Sequence, residues 1–453
     1  MPEPPEIAEP GAATGKVATG VLRRALRNAG VLLTGKAAAG LMQLATFAIA
    51  ARSLGIGAFG LLSVLLAGMQ LLIVLATFQS NQAIVRYGVM HLRSEDRSAF
   101  QRLIKFTTLL DIGAGIAAAA AAMLLAPLIA QWANWEQREL DAWRWLALLP
   151  LTLAVATPKG LLRLFGRFDL LSRFVTITPF LRLTGAILLA VLGGDLFGWV
   201  IMWIVAGAGG AAAGVFLGWR EARRRGLLVG MDRSLSGLRE ANPGILRFSL
   251  IANIHSSLAQ MPGHVATFSV GMVLGSGPAA LMKVAQELGT ALTKPIDLIN
   301  QSVYPDIARL AASREWKRLR RLVLRTGAAA ATVSALTTLL LLITGRGVIE
   351  LVFGDGFDGA YRLLLLLSAA TTVTVAVFSV DPTMYALGKP SRPLITALIA
   401  NGLFVAVMFA AFPLLGLYAP GAAYVAAAVA NLACALWWMA TQVPRSRRGD
   451  TAS

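Results

Sequence analysis

Twelve predominantly apolar stretches recur along the chain, at about residues 28–51, 59–80, 106–130, 145–162, 174–192 and 196–218, and again at 248–274, 277–304, 326–345, 363–386, 394–414 and 421–443. Each approaches the roughly 20 residues that a helix needs to cross a hydrocarbon core. The pattern predicts an all-α polytopic membrane protein with about twelve transmembrane helices. The connections alternate in basic content. One set carries Arg23, Arg24 and Arg27; Arg86 through Lys105; Lys159, Arg163, Arg167 and Arg173; Arg220 through Arg247; Arg309 through Arg325; Lys389 and Arg392; and Arg445 through Arg448. The other has only Arg52, Arg138, Arg144, Arg346 and Arg362. The positive-inside rule places the first set, and with it both termini, in the cytoplasm.

The two halves match each other at a shift of roughly 220 residues. Leu54-Gly55-Ile56-Gly57 echoes Leu274-Gly275-Ser276-Gly277, Arg144 in AWRWLALL pairs with Arg362 in AYRLLLLL, and Phe165-Gly166-Arg167 pairs with Leu387-Gly388-Lys389. Two six-helix lobes follow, related by a pseudo-twofold axis along the membrane normal. The expected units are a disordered cytoplasmic tail with a basic end (1–27), an N-terminal lobe (28–218), a basic cytoplasmic linker (219–247), a C-terminal lobe (248–443) and a basic cytoplasmic tail (444–453). In transporters built this way the substrate lies between the halves.

Polar residues inside the apolar stretches point to the same place. In 277–304, Lys283, Glu287, Thr290, Lys294 and Asp297 follow one another at steps of four, three, four and three. That spacing puts them on one face of a helix. A charge facing lipid at mid-bilayer costs roughly 2.5–3.5 kcal/mol, so this face lines a polar cavity or meets polar partners. The alternative is self-neutralisation, Lys283 with Glu287 and Lys294 with Asp297. The preceding stretch repeats the pattern with Ser249, Asn253, Ser256 or Ser257, Gln260, His264 and Thr267. It forms either a cavity wall that meets sugar hydroxyls or a hydrogen-bonded seam between helices. Lys36 and Arg182 add positive charge within the first and fifth stretches; Lys36 can instead snorkel to the surface. Asp111, Asp381, Glu287 and Asp297 are the carboxylates that could carry a coupling proton or sodium ion, or simply pair with bases, and the sequence leaves this open.

Composition narrows the class. The chain is 57% hydrophobic and 14% charged, with mean hydropathy +0.67. A net charge of +18 would fit nucleic acid, but the excess is already accounted for by topology, and no segment is long enough to fold a soluble basic face. The single Cys434 excludes an intrachain disulfide, and His255 and His264 lack a second ligand at metal-binding spacing. Asp358 in LVFGDGFDGAYR is expected to cap the next helix in a tight turn. Trp132, Trp135, Trp143 and Trp145 are expected to form an interfacial belt. No nucleophile–base pair or phosphate-binding glycine loop is present, so neither enzyme chemistry, a cofactor nor direct ATP coupling is expected.

The opening NAGVLLTGKAAAGLMQLATFAIAARSLGIGAFG, the Lys-bearing eighth stretch ending in SVYPDIARL, the LVFGDGF loop and YALGKPSRP together resemble the Wzx-type polysaccharide or O-antigen flippases, of the multidrug/oligosaccharidyl-lipid/polysaccharide exporter superfamily. The resemblance covers about residues 28–443. It implies a V-shaped pair of six-helix lobes in the bacterial inner membrane. It also implies export of an undecaprenyl-pyrophosphate-linked oligosaccharide for O-antigen, capsule or exopolysaccharide assembly, by a monomer working beside a polymerase and glycosyltransferases. Lys36, Arg182, Lys283 and Lys294 would meet the pyrophosphate, and Asn253, Gln260, His264 and Thr290 the polar remainder. A cation-coupled multidrug antiporter of the same superfamily is the nearer alternative. Its expected first-span carboxylate is replaced here by Lys36. A non-transporting scaffold for polysaccharide assembly is the other.

Overall fold

The computed structural model describes residues 11–231, 234 and 236–443, with side chains from Gly30 onward except at 31, 291–302, 304 and 305. Among the described residues there are helices and no strand. The N-terminal half contains α1 (Gly11–Ala76), α2 (Ser80–Arg93), α3 (Arg97–Ala133), α4 (Gln137–Leu146), a 3-10 turn (Leu149–Val155), α5 (Ala156–Leu164), α6 (Phe168–Leu192) and α7 (Leu196–Arg224). A short α8 (Leu238–Ala241) lies in the linker. The C-terminal half contains α9 (Ile245–Leu274), α10 (Ser276–Ala312), α11 (Trp316–Phe353), α12 (Ala360–Ala376), α13 (Val380–Ala386), α14 (Ser391–Leu415) and α15 (Ala419–Gln442).

Eight stretches among the described residues are long and apolar enough to cross a membrane. Two of them, 32–93 and 391–442, run to 62 and 52 residues, far beyond one crossing. The first is interrupted at Gly55, whose φ of 71° and ψ of 173° end one helix and start another. Only glycine takes such a backbone at no steric cost. The remaining two expected crossings fall on α9 and α10, of spanning length and polar on one face. Large apolar side chains stand exposed around the bundle, Leu124, Val191, Ile343 and Leu414 among them. They make a surface for lipid, and the protein is a multi-pass membrane protein.

Backbone geometry repeats across the halves. Positive φ angles occur at Gly55 and Gly275, Glu95 and Arg314, Asn134 and Gly354, Gly166 and Gly388, and Gly193 and Gly416. The offsets are 220, 219, 220, 222 and 223 residues, so the turns of one lobe recur in the other.

Two spans are broken rather than continuous. Residues 77–79 separate α1 from α2, and the 3-10 turn separates α4 from α5. The buried carboxylate of Asp111 on α3 holds both breaks. It accepts hydrogen bonds from Ser80 Oγ at 2.5 Å, Thr157 Oγ1 at 2.7 Å and Thr157 N at 2.9 Å. Ser80 opens α2 and Thr157 stands in the first turn of α5, so the carboxylate ties the two helix starts together and takes up a backbone N–H of α5.

The lobes meet closely at the arginine-poor end. A Cβ on Gly60 would stand 1.8 Å from the carbonyl oxygen of Ser276, and one on Gly271 would stand 2.1 Å from Val64. Phe59 packs edge-on against Phe357 at 5.9 Å. One continuous core runs through both lobes here, including Phe47, Phe59, Trp143, Trp203, Met282 and Phe353. Arg52 closes this end further, donating to the carbonyls of Glu350, Leu351 and Val352. These are among the last carbonyls of α11, where helical partners run out, although Glu350 O also accepts from Gly354 N at 2.9 Å.

Two expectations change. The backbone is helical from Gly11, inside the stretch expected to be a tail, because its run of Ala, Val, Leu and Arg extends the first helix backwards; residues 1–10 and 444–453 lie outside the described residues. The linker is docked on the N-terminal half: Gln101 Nε2 donates to Leu227 O and Val229 O at 2.9 Å, Tyr87 to Pro243 O at 3.0 Å, and His91 meets Asn242 at 2.8 Å. Trp143 is not part of a belt. It is 1% exposed and donates to Ala122 O at 2.8 Å inside the lobe, whereas Trp132 and Trp145 remain exposed.

Candidate functional site

Four helices, α9, α10, α12 and α15, give the site its shape. α9 carries Pro262, which removes a backbone donor and loosens the helix. α10 lies against α9 and places Lys283 and Glu287 one turn apart, where they form an ion pair of 2.7 Å. Tyr424 of α15 closes the far side. The resulting cavity of about 420 Å³ is lined by Gln260, His264, Lys283, Gln286, Glu287, Thr290, Thr371 and Tyr424. Five residues picked out by helical spacing, Gln260, His264, Lys283, Glu287 and Thr290, therefore share one cavity.

The charges do not cancel there. Lys283 also lies 4.3 Å from the ring of Phe47, which belongs to the opposite lobe. Arg182 on α6 stacks over Trp203 at 4.8 Å and lies within electrostatic reach of Glu287. No carboxylate pairs directly with Arg182 among the described residues, and its Nε is buried without a partner. It faces a small cavity of about 120 Å³ with Gln70, Thr152 and Thr178. Glu287 thus pairs with Lys283 and lies within electrostatic reach of Arg182 from the other lobe. Counting Lys283, Arg182 and Glu287 alone among the described side chains, one positive charge is in excess beside a polar cavity, under low-dielectric walls that strengthen it.

Lys36 does not join this group. Eleven residues separate it from Phe47, so it sits about 16 Å away along the axis of α1. There it is exposed and lies within electrostatic reach of Lys159, which also feels Arg163. These three cations have no ion pair among the described residues. By sequence Lys159 and Arg163 count only toward topology, yet they stand with Lys36 on the arginine-rich side. Lys294 and Asp297 lie outside the described side chains.

Asn253 belongs to a seam rather than to the cavity. Its Nδ2 donates to Leu75 O at 3.3 Å, and Ser257 Oγ donates to Val74 O at 2.8 Å. Those carbonyls precede the break at 77–79, which leaves them without helical partners. Gln79 on the same break donates to Ser256 Oγ at 2.9 Å. Asp111 is likewise enclosed within its lobe by its three hydrogen bonds. Asp381 lines a second cavity of about 460 Å³ with His255, Asn401, Asn431 and Thr374. That cavity shares Ala259, Pro262, Thr371 and Tyr424 with the first, so the two adjoin.

Several contributors escape a spacing argument. Gln286 bridges α10 to α9, donating to Gly263 O at 2.9 Å and accepting from Thr267 Oγ1 at 2.8 Å. Tyr385 OH meets His255 Nε2 at 3.0 Å across the second cavity. Phe47 and Trp203 supply the ring faces for Lys283 and Arg182, and both look like ordinary core residues in an apolar run. Among the described residues no group of three His, Cys, Asp or Glu could hold a metal ion.

Comparison with known proteins agrees with this architecture. The solved structures most relevant to it are transporters of low sequence identity. An inward-facing multidrug resistance MATE family transporter of the MOP superfamily matches with a TM-score of 0.68 at 14% identity, over 89% of this chain and 94% of that one. A MOP superfamily transporter from Pyrococcus furiosus, described by the reverse polarity of its binding pocket, matches with a TM-score of 0.64 at 15% identity, over 93% and 95%. A point mutant of the Vibrio cholerae MATE transporter VcmN matches with a TM-score of 0.60 at 16% identity, over 95% and 98%. These establish the two-lobed fold. Among curated proteins, the inner membrane protein YghQ of Escherichia coli (strain K12) is 29% identical over 356 residues, 77% of this chain and 97% of that protein. The model of the family described as polysaccharide biosynthesis protein matches residues 25–311, well over half of the chain, and the chain belongs to that family.

Proposed function

We propose that the chain is a transporter of the bacterial inner membrane that exports an undecaprenyl-pyrophosphate-linked oligosaccharide by alternating access. The observation that carries this reading is the surplus positive charge around Glu287. Lys283 is paired with Glu287, while Arg182, within electrostatic reach of the same carboxylate, has no ion pair among the described residues, so an anionic headgroup entering there supplies the missing partner. Gln260, His264, Gln286, Thr290 and Tyr424 line the adjoining cavity with donors and acceptors suited to sugar hydroxyls. The arginine-rich end, read as cytoplasmic, offers Lys36, Lys159 and Arg163 as the first cations the headgroup meets. The lipid tail stays in the bilayer while the lobes rock. With a negative interior, each net anionic charge moved outward gains about 2.3 kcal/mol per 100 mV, whether or not a proton or sodium ion is exchanged.

The inner-membrane name of the relative and the family description support this reading. Against an organic-cation antiporter stands the first span itself, which carries Lys36 and no carboxylate across residues 28–54. Glycosyltransferases would then supply the substrate and a polymerase would consume it. The test is flipping of a labelled undecaprenyl-pyrophosphate-linked glycan by the purified chain in proteoliposomes. Full activity in Lys283→Ala, Arg182→Ala and Lys36→Ala alike overturns the headgroup assignment. Efflux of organic cations with no glycan flipping favours the antiporter.

A further inference from the structure

At the arginine-rich end of α7 a cavity of about 540 Å³ opens beside the bundle, lined by Val215, Phe216, Trp219, Arg220, Arg223, Leu228 and Val229. One wall is the outward face of α7, where Val205, Ala208, Ala212 and Phe216 are exposed at steps of three, four and four. Arg220 and Arg223 continue that face. This is the order of a lipid-facing helix, with an acyl-chain surface ending in cations at headgroup depth.

The other wall is built from the linker that turns back after α7. Leu228 packs against a buried apolar cluster containing Ile84, Phe100 and Ala222. Gln101, itself 7% exposed, holds the linker in place through the carbonyls of Leu227 and Val229. The groove is therefore preformed.

Its cations are uncommitted. The carboxylate of Glu221, on the opposite face of α7, is occupied by Arg167 at 2.9 Å and Arg225 at 3.1 Å. Among the described residues Arg220 and Arg223 have no ion pair. Arg220 lies over the ring of Phe216 at 5.4 Å, and its Nε is buried without a hydrogen-bond partner.

We propose that this groove binds one anionic phospholipid, with the phosphate between Arg220 and Arg223 and an acyl chain along Phe216. The proposal is independent of the transported substrate. A zwitterionic lipid offers the same acyl chain but cancels the phosphate with its ammonium. Free phosphate offers the charge without the chain.

The test is native mass spectrometry of the full chain exchanged into equal amounts of phosphatidylglycerol and phosphatidylcholine. The wild type is expected to retain phosphatidylglycerol preferentially by about tenfold or more, from two arginines near the headgroup. Arg220→Gln with Arg223→Gln should bring the two lipids to parity, and Arg224→Gln, off the groove, should not. Gln101→Leu releases the linker wall without changing net charge, and is expected to lose the preference as well. Should that variant fail to fold, Val229→Glu, at an exposed position on the same wall, carries the same expectation. Preference surviving the double arginine variant overturns the proposal. So does preference surviving the wall variants, which would mean general surface attraction. Displacement of the lipid by millimolar inorganic phosphate would mean an anion site and also overturns it.

Discussion

Lys283 and Glu287 can act either as a structural pair or as a pair that the substrate opens, and substitution separates the two. Their side chains are only 18% and 13% exposed, and the ammonium lies 2.7 Å from the carboxylate. For a structural pair, removing either partner leaves a buried charge and costs about 3–5 kcal/mol, while removing both restores most of the loss. Lys283→Gln and Glu287→Gln would then be equally harmful to stability and the double variant nearly neutral. For an exchanging pair the signs differ. A phosphate oxygen replacing Glu287 at about 4 Å from Lys283 interacts at about 4 kcal/mol for an effective dielectric constant near 20. If desolvation removes half of that, about 2 kcal/mol remains, a factor of roughly 30 in transport. Lys283→Gln is thus expected to lower flipping of a labelled undecaprenyl-pyrophosphate glycan in proteoliposomes about 30-fold. Glu287→Gln frees both Lys283 and Arg182, so it should lower the half-saturating substrate concentration and slow turnover. The assay is initial rate against substrate concentration for the two single variants and the double, with melting temperature measured in parallel. Equal activity loss in both single variants and recovery in the double would refute the exchange.

Asp111→Asn should lower the melting temperature and cost about 2–3 kcal/mol, because the amide cannot accept from Ser80 and from both groups of Thr157 together; unchanged melting would remove its anchoring role. Arg52→Ala should open the arginine-poor end by about 2 kcal/mol, through loss of its charge-assisted bonds to three carbonyls of α11. Spin-label distances between Ile56→Cys and Asp358→Cys, in a Cys434→Ser background, should shift to longer values, and an unmoved distribution would sink the latch. Asp195 caps α7 through Gly198 N at 3.0 Å, and that bond, with Arg138 beside it, holds its carboxyl below the ordinary range. Its stabilisation is complete above the unfolded value near 3.9 and fades as pH falls through the lower folded one. Asp195→Ala should cost about 1 kcal/mol at neutral pH and lose its difference from wild type as pH falls through the lowered folded-state pKa of Asp195; a difference that persists once the carboxyl is protonated would contradict the cap.

Periodicity is informative where a polar residue interrupts an apolar run, because the energy of burying it limits where it can point. Lys283 and Glu287 are legible for that reason, as is their company with Gln260, His264 and Thr290. The same periodicity cannot tell the upper from the lower part of α9. Asn253 and Ser257 lie on the same face as Gln260, but they serve carbonyls exposed by the break at 77–79. That break lies inside an apolar run, at Thr77, Phe78 and Gln79, with no proline or glycine to announce it. Arg52 looks like one of a few stray bases in the sequence, since its partners are backbone atoms some three hundred residues away. Lys36 and Lys283 look alike because each is a lysine within an apolar stretch, whereas their heights on adjoining helices separate them. Gly55 and Gly275 are legible as a repeat, and their shared positive φ gives the physical reason a glycine stands at each.

The halves share a backbone but are filled differently, and this assigns them different work. In the N-terminal lobe, Trp143, Trp199 and Trp203 fill the interior, Asp111 ties two broken spans together, and the remaining space near Arg182 is about 120 Å³. In the C-terminal lobe the corresponding break between α12 and α13 is held by hydroxyls, Thr326 to Ser379 at 3.0 Å, and among the described residues Asp381, in the first turn of α13, lines a cavity instead. Two adjoining cavities of about 420 and 460 Å³ open beside it. A repeated backbone gives the two lobes equivalent turns, while unequal filling prevents them from being equivalent in chemistry. The packed lobe presents a fixed cation, Arg182, and an aromatic face, Phe47, to the interface. The hollow lobe presents Lys283 and Glu287 on a helix with space behind it, so their side chains can exchange partners without repacking the core. Under the proposed function, charge exchange at the interface belongs to the C-terminal lobe, and the more densely filled N-terminal lobe is the surface it works against.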